Sequence, residues 1–402
     1  MTKTPRGMRP HIVILGRRNA GKSSLINAIT GRDLAIVSDT PGTTTDPVSK
    51  AMELLPYGPV VFVDTAGIDD TGELGSRRVA RTRKAERTAD IKIYVTDGTL
   101  DTEERIVLKK NRGEMIVVAT HQDTRTAPAT ALTELCADGT TVIDVSTVTG
   151  SGIEELKQEL IRRLERLRLQ ERTLLRSIIK PYSLVMLVVP IDLEAPAGRL
   201  ILPQVQTIRE ILDGDATCIV VKEREIDWAL SQLRTPPALV IADSQVVLKA
   251  SGSIPPAIPM TTFSVLFSRF KGDLPELVRA ANSIDHLEDG DKVLIAESCT
   301  HHAHSDDIGR VKIPRWLRQY TGKNLDITVT GGSYPEDIED YSLVIHCGAC
   351  MITRTMMLDR MAEANAAGVP ITNYGIAISH LHGLLDRVVA PFSSDLEFQA
   401  YR

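Results

Sequence analysis

The sequence contains no run of eighteen apolar residues, which excludes a membrane-spanning helix on the usual length criterion. It also lacks an excess of basic residues. Lys and Arg number 47 against 52 Asp and Glu, a formal net charge of −5, whereas a dedicated nucleic-acid binder needs a basic surface to neutralise phosphates. Basic clusters run from Arg77-Arg78 to Arg87 and from Arg162-Arg163 to Arg176. Both interleave with glutamate at helical spacing and read as solvated helix faces. Five cysteines is an odd number, and the basic N-terminus leads into a strand and a glycine-rich loop rather than the apolar core of a secretory leader. A disulfide framework is therefore not expected, and the cytoplasm is the expected compartment. Internal repeats and low-complexity tracts are absent as well.

What is present is a 402-residue chain, 43% hydrophobic and 25% charged, long enough for two or three cores. Its first part alternates apolar runs with helical patterns. His11–Leu15, Val60–Asp64, Ile91–Asp97, Met115–Thr120 and Thr141–Val145 read as buried strands, and Lys22–Thr30 and Ile153–Leu167 as helices. A second alternating unit has strands Leu184–Val189, Cys218–Lys222 and Leu239–Ala242, with helical patterns at Gln204–Leu212 and Glu225–Leu233. It carries no cluster of titratable or metal-binding residues, so an architectural or dimerising role is expected. The segment Ile254-Pro255-Pro256-Ala257-Ile258-Pro259 suits a connector. Beyond it lie strands Lys292–Glu297, Leu325–Thr330 and Leu343–His346 and helices Pro275–Asn282, Thr353–Ala367 and Ile378–Val389. The expected fold class is α/β in three domains, 1–170, 171–260 and 261–402.

Gly16-x-x-x-x-Gly21-Lys22-Ser23 follows a strand and opens a helix, the context a phosphate-binding loop requires. Backbone N–H groups from Gly16 through Asn19, Ala20, Gly21 and Ser24 can wrap phosphates at a helix start. Lys22 is placed to reach the β- and γ-phosphates, and the Ser23 hydroxyl to ligate Mg²⁺. Asp64-Thr65-Ala66-Gly67 closes a strand: Asp64 can bind Mg²⁺ through water, and the Gly67 amide can sense a γ-phosphate. Between them Gly42-Thr43-Thr44-Thr45-Asp46 offers a threonine hydroxyl, Thr43 or Thr44, to complete the Mg²⁺ shell, as a switch loop does. Ser146-Thr147, before Gly150-Ser151-Gly152, suits a base-contacting loop.

This arrangement resembles the translation-factor-like GTPases, and within them the TrmE–Era branch. The resemblance implies GTP and GDP as ligands, Mg²⁺, and slow turnover stimulated by K⁺, with Asn19 helping to hold the potassium. Lys22, Thr44, Asp64 and Gly67 would be the catalytic set. Ile68 follows Gly67 where Ras-like proteins place a water-orienting glutamine, so another group or a cation must serve. The branch expects Asn-Lys-x-Asp for guanine, and this chain has Thr120-His121-Gln122-Asp123. Asp123 can still accept from guanine. Loss of the Asn is expected to remove a loop tether, and loss of the Lys an aliphatic stem that packs on the base.

Cys299-Thr300-His301 and His346-Cys347-Gly348-Ala349-Cys350 each follow an apolar strand and belong at carboxyl ends, where open α/β sheets bind ligands. If those strands are neighbours, three thiolates converge. Four readings stay open on the residues alone: an uninvolved pair in a turn, a structural Cys₃His zinc, a redox dithiol at Cys347 and Cys350, and an iron–sulfur cluster. Spacing does not rank the last above zinc.

The order of all three parts resembles the HydF family of [FeFe]-hydrogenase maturation GTPases over essentially the whole chain. Ala242-Asp243-Ser244-Gln245 and Glu297-Ser298-Cys299-Thr300-His301-His302 belong to the resemblance. It implies a [4Fe–4S] cluster on Cys299, Cys347 and Cys350 with a labile fourth position, for which His301, His302 and His346 are candidates. It also implies a homodimeric scaffold or carrier for the diiron subcluster, with two radical-SAM maturases and the apo-hydrogenase as partners; the lack of an apolar span and the acidic balance speak against a membrane or a nucleic acid among them. The competing readings are an RNA- or ribosome-associated GTPase with a structural zinc site, and a redox enzyme using the metal catalytically.

Overall fold

A computed structural model of the chain describes residues 7, 9–17, 19–31, 48–65, 82–110, 115–120, 130–137, 139–170, 173–190, 200–298 and 307–397. The chain divides into two compact units, Met1–Glu171 and Arg172–Arg402.

In the first unit the strands are β1 (His11–Gly16), β2 (Val48–Leu54), β3 (Gly58–Asp64), β4 (Ile91–Thr96), β5 (Met115–Ala119) and β6 (Thr141–Asp144). They form one sheet in the order β2-β3-β1-β4-β5-β6, parallel except for β2, which runs antiparallel to β3. Helices Lys22–Thr30, Thr102–Lys110, Thr130–Ala137 and Ile153–Gln170 accompany it. The period-two geometry of a strand sends alternate β1 side chains to opposite faces. Ile12 and Ile14 join Leu25, Leu156 and Leu160 in one core. Val13 and Leu15 join Leu108, Leu132 and Leu135 in the other. With both faces covered, Met-Ile-Val-Val-Ala of β5 is buried at every position. The five strands and two helices expected here are present within a residue or three at their ends, the usual scatter of element boundaries. The polar, alternating edge strand β2 and the helices Thr102–Lys110 and Thr130–Ala137 were not foreseen.

The second unit holds two four-stranded parallel sheets. β7 (Leu184–Val188), β8 (Thr217–Val221), β9 (Leu239–Ala242) and β10 (Met260–Thr262) take the order β10-β9-β7-β8. β11 (Lys292–Glu297), β12 (Asp326–Gly331), β13 (Leu343–His346) and β14 (Ile371–Asn373) take the order β12-β11-β13-β14. One apolar cluster runs through both sheets, from Val185 and Leu187 through Phe267 and Leu277 to Leu294, Ile345 and Ile376. Helix Phe263–Lys271 packs on helices Arg354–Ala366 and Tyr374–Leu381 and so joins the two halves. The single helix expected at Ile378–Val389 is instead two, Tyr374–Leu381 and Leu385–Val389. Gly383 between them has φ 66°, a left-handed conformation that ends a helix. Among the described residues no helix is long and apolar enough to cross a membrane.

Candidate functional site

The phosphate-binding loop is shaped by residues that accept positive φ. Gly16 ends β1 at φ 142°, and a Cβ there would lie 2.3 Å from the Val95 carbonyl oxygen. Asn19 at φ 62° and Gly21 at φ 92° turn the chain into helix Lys22–Thr30. Asparagine is among the few side chains tolerated there, which gives Asn19 a conformational reason for its place. Lys22 is 7% exposed, and its Nζ donates to the carbonyls of Gly16 at 3.0 Å and Arg17 at 2.6 Å. The Ser23 hydroxyl donates to Asp64 Oδ2 at 2.7 Å, so the two groups expected to hold Mg²⁺ meet where the start of helix Lys22–Thr30 faces the end of β3. Thr65, buried, donates to the Ile14 carbonyl at 2.6 Å and pins the end of β3. This donor set fits a magnesium-bound phosphate ligand: backbone amides at a helix start, one ammonium, and a hydroxyl–carboxylate pair. Thr43, Thr44, Gly67, Ile68 and Asp123 lie outside the described residues.

One expectation is corrected. The tether that Thr120 was expected to lose is present in a shorter form. Thr120 Oγ1, in a residue 2% exposed, sits 3.1 Å from the Ala20 carbonyl and 3.0 Å from that of Thr96. A hydroxyl reaches where an amide would, because β5 delivers Thr120 directly beneath the loop.

A second anchor holds the loop, and no local motif announces it. Arg17 pairs with Asp101 at 3.0 Å and with Glu104, which is 2% exposed. Glu104 also accepts from the Tyr94 hydroxyl at 2.6 Å and from the Asp101 amide at 2.8 Å. Burial, and then the Glu104 carboxylate, push the Tyr94 hydroxyl well above its ordinary pKa, so it stays a donor. The loop's arginine is thus held by the start of helix Thr102–Lys110. Ser146 is 1% exposed, and its hydroxyl accepts from the amides of Val148 at 3.3 Å and Thr149 at 3.1 Å, shaping the turn that carries half-buried Thr147.

At the other end of the chain, β11 and β13 are neighbours, with Ala296 opposite His346. The Cys347 amide donates to the Ala296 carbonyl at 2.9 Å, and the Ser298 amide donates to Cys347 Sγ at 3.2 Å. Cys347 is buried and Cys350 half-buried, neither in a disulfide. Between them Ala349 has φ 54°, a tight left-handed turn without glycine. His346 is fully buried. Its Nδ1 lies 2.7 Å from the Cys347 carbonyl, and its Nε2 lies 3.1 Å from Ser298 Oγ and 3.2 Å from Arg360 Nη1. A guanidinium only donates, so Nε2 accepts and Nδ1 carries the proton. To ligate a metal, Nε2 would have to leave Arg360 and Ser298. Arg360 also donates to the Gly332 carbonyl and lies 5.5 Å over the Tyr334 ring. The Tyr334 hydroxyl is buried, and burial raises its pKa although the Arg360 guanidinium beside it acts the other way. A buried thiol already accepting an N–H and a second thiol three residues on are soft donors suited to a soft metal centre. Cys299, His301 and His302 lie outside the described residues, and among those described no group of three His, Cys, Asp or Glu is assembled to hold a metal ion. Arg360 and Tyr334 are invisible in the sequence because only the fold brings them to the cysteine loop, and the reach of the Ser298 amide to Cys347 depends on the strand order.

Residues 11–124 match the family model of the 50S ribosome-binding GTPases, 174–272 that of the hydrogen maturase F dimerization domain, and 275–391 that of the hydrogen maturase F tetramerization domain. The chain is 41% identical over 155 residues to the tRNA modification GTPase MnmE of Methylococcus capsulatus, and 37% identical over 157 residues to that of Paramagnetospirillum magneticum. These matches take in 38% and 39% of this chain, and the chain spans about a third, 34%, of each relative's length. Among solved structures, the G domain of the T. maritima FeoB iron transporter is 24% identical, with 39% of this chain and 99% of that one covered and a TM-score of 0.31. The GTPase match stops before the second unit, and there the two maturase models, which together take in more than half of the chain, do not favour a ribosome-associated GTPase with a structural zinc. On that combination of three matched segments, the chain belongs to the hydrogen maturase F family.

Proposed function

We propose that this chain is a GTPase and an iron–sulfur scaffold, assembling or carrying the diiron subcluster of [FeFe]-hydrogenase and delivering it to the apo-enzyme. The observation that carries the reading is the in-register pairing of β11 with β13, which brings the amide of Ser298, the residue before Cys299 in the sequence, within 3.2 Å of the Cys347 sulfur. Cys299, Cys347 and Cys350 would hold a [4Fe–4S] cluster. Such a cluster on three thiolates supplies one iron with an exchangeable position, which is what attachment of a second iron unit needs. This chain's own part is to present the thiolates and wall them. The Ser298 amide stabilises the Cys347 sulfur, His346 braces the strand end from both ring nitrogens, and Arg360 sets a positive charge beside them. His301 or His302, or an exchangeable ligand, would take the fourth position.

In the first unit Ser23 and Asp64 would hold Mg²⁺ and Lys22 the phosphates, with Thr44 and Gly67 sensing the γ-phosphate and Asp123 reading guanine. Turnover is slow because Ile68 cannot orient water. K⁺ beside Asn19 would supply the missing charge. Nucleotide state would act through the loops around Thr43–Asp46 and Gly67–Gly75 on contacts with partners, the two radical-SAM maturases and the hydrogenase. The matched dimerization and tetramerization domains support a self-assembled scaffold.

The test is anaerobic reconstitution of the full chain, with iron, sulfide and zinc measured alongside absorption and EPR spectra. Iron and sulfide in equal amounts, lost in C347A and C350A, support the scaffold. One zinc and no iron sinks it.

A further inference from the structure

Lys271 ends helix Phe263–Lys271 and is only 2% exposed, yet it carries an ammonium. Its Nζ donates to three carbonyls of one short loop: Ala349 at 3.1 Å, Cys350 at 3.2 Å and Ile352 at 2.7 Å. An ammonium has three N–H donors, and a buried charge is tolerated only when such bonds replace water. The loop in question runs from Cys347 through the strained turn at Ala349 to Thr353, the cap of helix Arg354–Ala366. A second cation crosses in the opposite direction. Arg354 Nη1 donates to the Phe270 and Gly272 carbonyls, each at 2.9 Å. Lys271 lies in the segment matched to the dimerization domain, and the cysteine loop in the segment matched to the tetramerization domain.

We propose that Lys271 is the positioning residue of the cysteine site. By gathering three carbonyls on one side it fixes the turn that presents Cys347 and Cys350 together, and its ammonium sets positive charge on a loop whose thiolates carry negative charge. The positioning role stands on the geometry of the chain itself, while the charge role rests on the iron–sulfur reading. A hydrogen-bonded, charge-compensated loop holds a cluster more tightly and shifts its reduction potential. The arrangement also makes the shape of the cysteine loop depend on the end of a helix in the dimerization segment.

The test compares full-length wild type with K271M, which keeps the stem's volume, and K271R, which keeps the charge. Folding is checked by far-UV circular dichroism. In metal-free protein the amides of residues 348–352 exchange hydrogen at least about tenfold faster in K271M, the loss of one ordinary hydrogen bond or more. After anaerobic reconstitution K271M releases iron to a chelator faster, and K271R recovers most of both properties. Unchanged exchange in folded K271M overturns the clamp, and faster exchange with unchanged iron retention overturns the positioning role. Absence of iron in the wild type sinks the iron–sulfur reading instead, and the exchange comparison still decides the clamp. Should K271M fail to fold, K271Q carries the same comparison.

Discussion

The Thr120 hydroxyl stands 3.1 Å from the Ala20 carbonyl and 3.0 Å from that of Thr96, joining the end of β5 to the phosphate loop and to β4. T120V keeps the volume and removes the donor, leaving a buried carbonyl unpaired. Guanine-nucleotide affinity is expected to fall about five- to tenfold, the worth of one buried hydrogen bond, while T120S stays near wild type. Titration with a fluorescent GDP analogue reads both, and equal affinity in T120V would show that the bond carries nothing.

Ser23 and Asp64 are 2.7 Å apart, close enough to share one cation. S23A should raise the Mg²⁺ concentration needed for half-maximal GTP turnover by about tenfold or more, since one oxygen ligand is gone. A magnesium titration of phosphate release checks it. An unshifted midpoint would place the metal elsewhere.

Gly152 has φ 75°, and a Cβ on it would lie 2.0 Å from the Asp144 carbonyl oxygen. G152A must therefore move backbone, not a flexible side chain. A loss of about 2 kcal/mol is expected, seen as a lower melting temperature of the first unit. A variant that melts with the wild type would mean that the loop after β6 yields freely.

Asp285 accepts from Tyr320 Oη at 2.8 Å and from His380 Nε2 at 2.9 Å, tying three elements of the third sheet's surroundings. Burial pushes its carboxyl pKa up, but the His380 and Tyr320 hydrogen bonds outweigh this and hold it below the usual range. A lowered carboxyl contributes stability that is complete above its unfolded value, about 4, and is lost as the pH falls through the lower folded value. D285N should be the less stable protein at neutral pH and converge with wild type in strong acid. Urea midpoints across that range decide, and a gap that persists in acid would assign the difference to packing.

Where a motif is local, the sequence was sufficient. Gly16–Ser23 and the apolar runs of β1, β4 and β5 are each explained by neighbours in the chain, and periodicity found them. The sequence could raise the meeting of the two cysteine groups only as a condition, since β11 and β13 are separated by β12 in the chain and adjacent in the sheet. Lys271 and Arg360 were invisible for the same reason: a lone cation in a helix gives no clue to a carbonyl about eighty residues away or to a histidine fourteen residues before it. Thr120 departs from the motif in residue type, yet its position at the end of β5 gives its hydroxyl the reach to the loop carbonyl. Apolar periodicity on both sides of Gly383 reads as one helix, Ile378–Val389, whereas the left-handed glycine divides it into two.

The apolar cluster that runs unbroken from Val185 to Ile376 has a thermodynamic consequence. Cooperativity follows shared burial, not the number of sheets. The three sheets should therefore melt in two calorimetric transitions. One belongs to the nucleotide-binding unit and shifts upward with added GDP, since a ligand that binds only the native form stabilises it. The other takes both remaining sheets together. A destabilising change beneath the β7–β9 sheet would then loosen the cysteine loop as readily as one beside it.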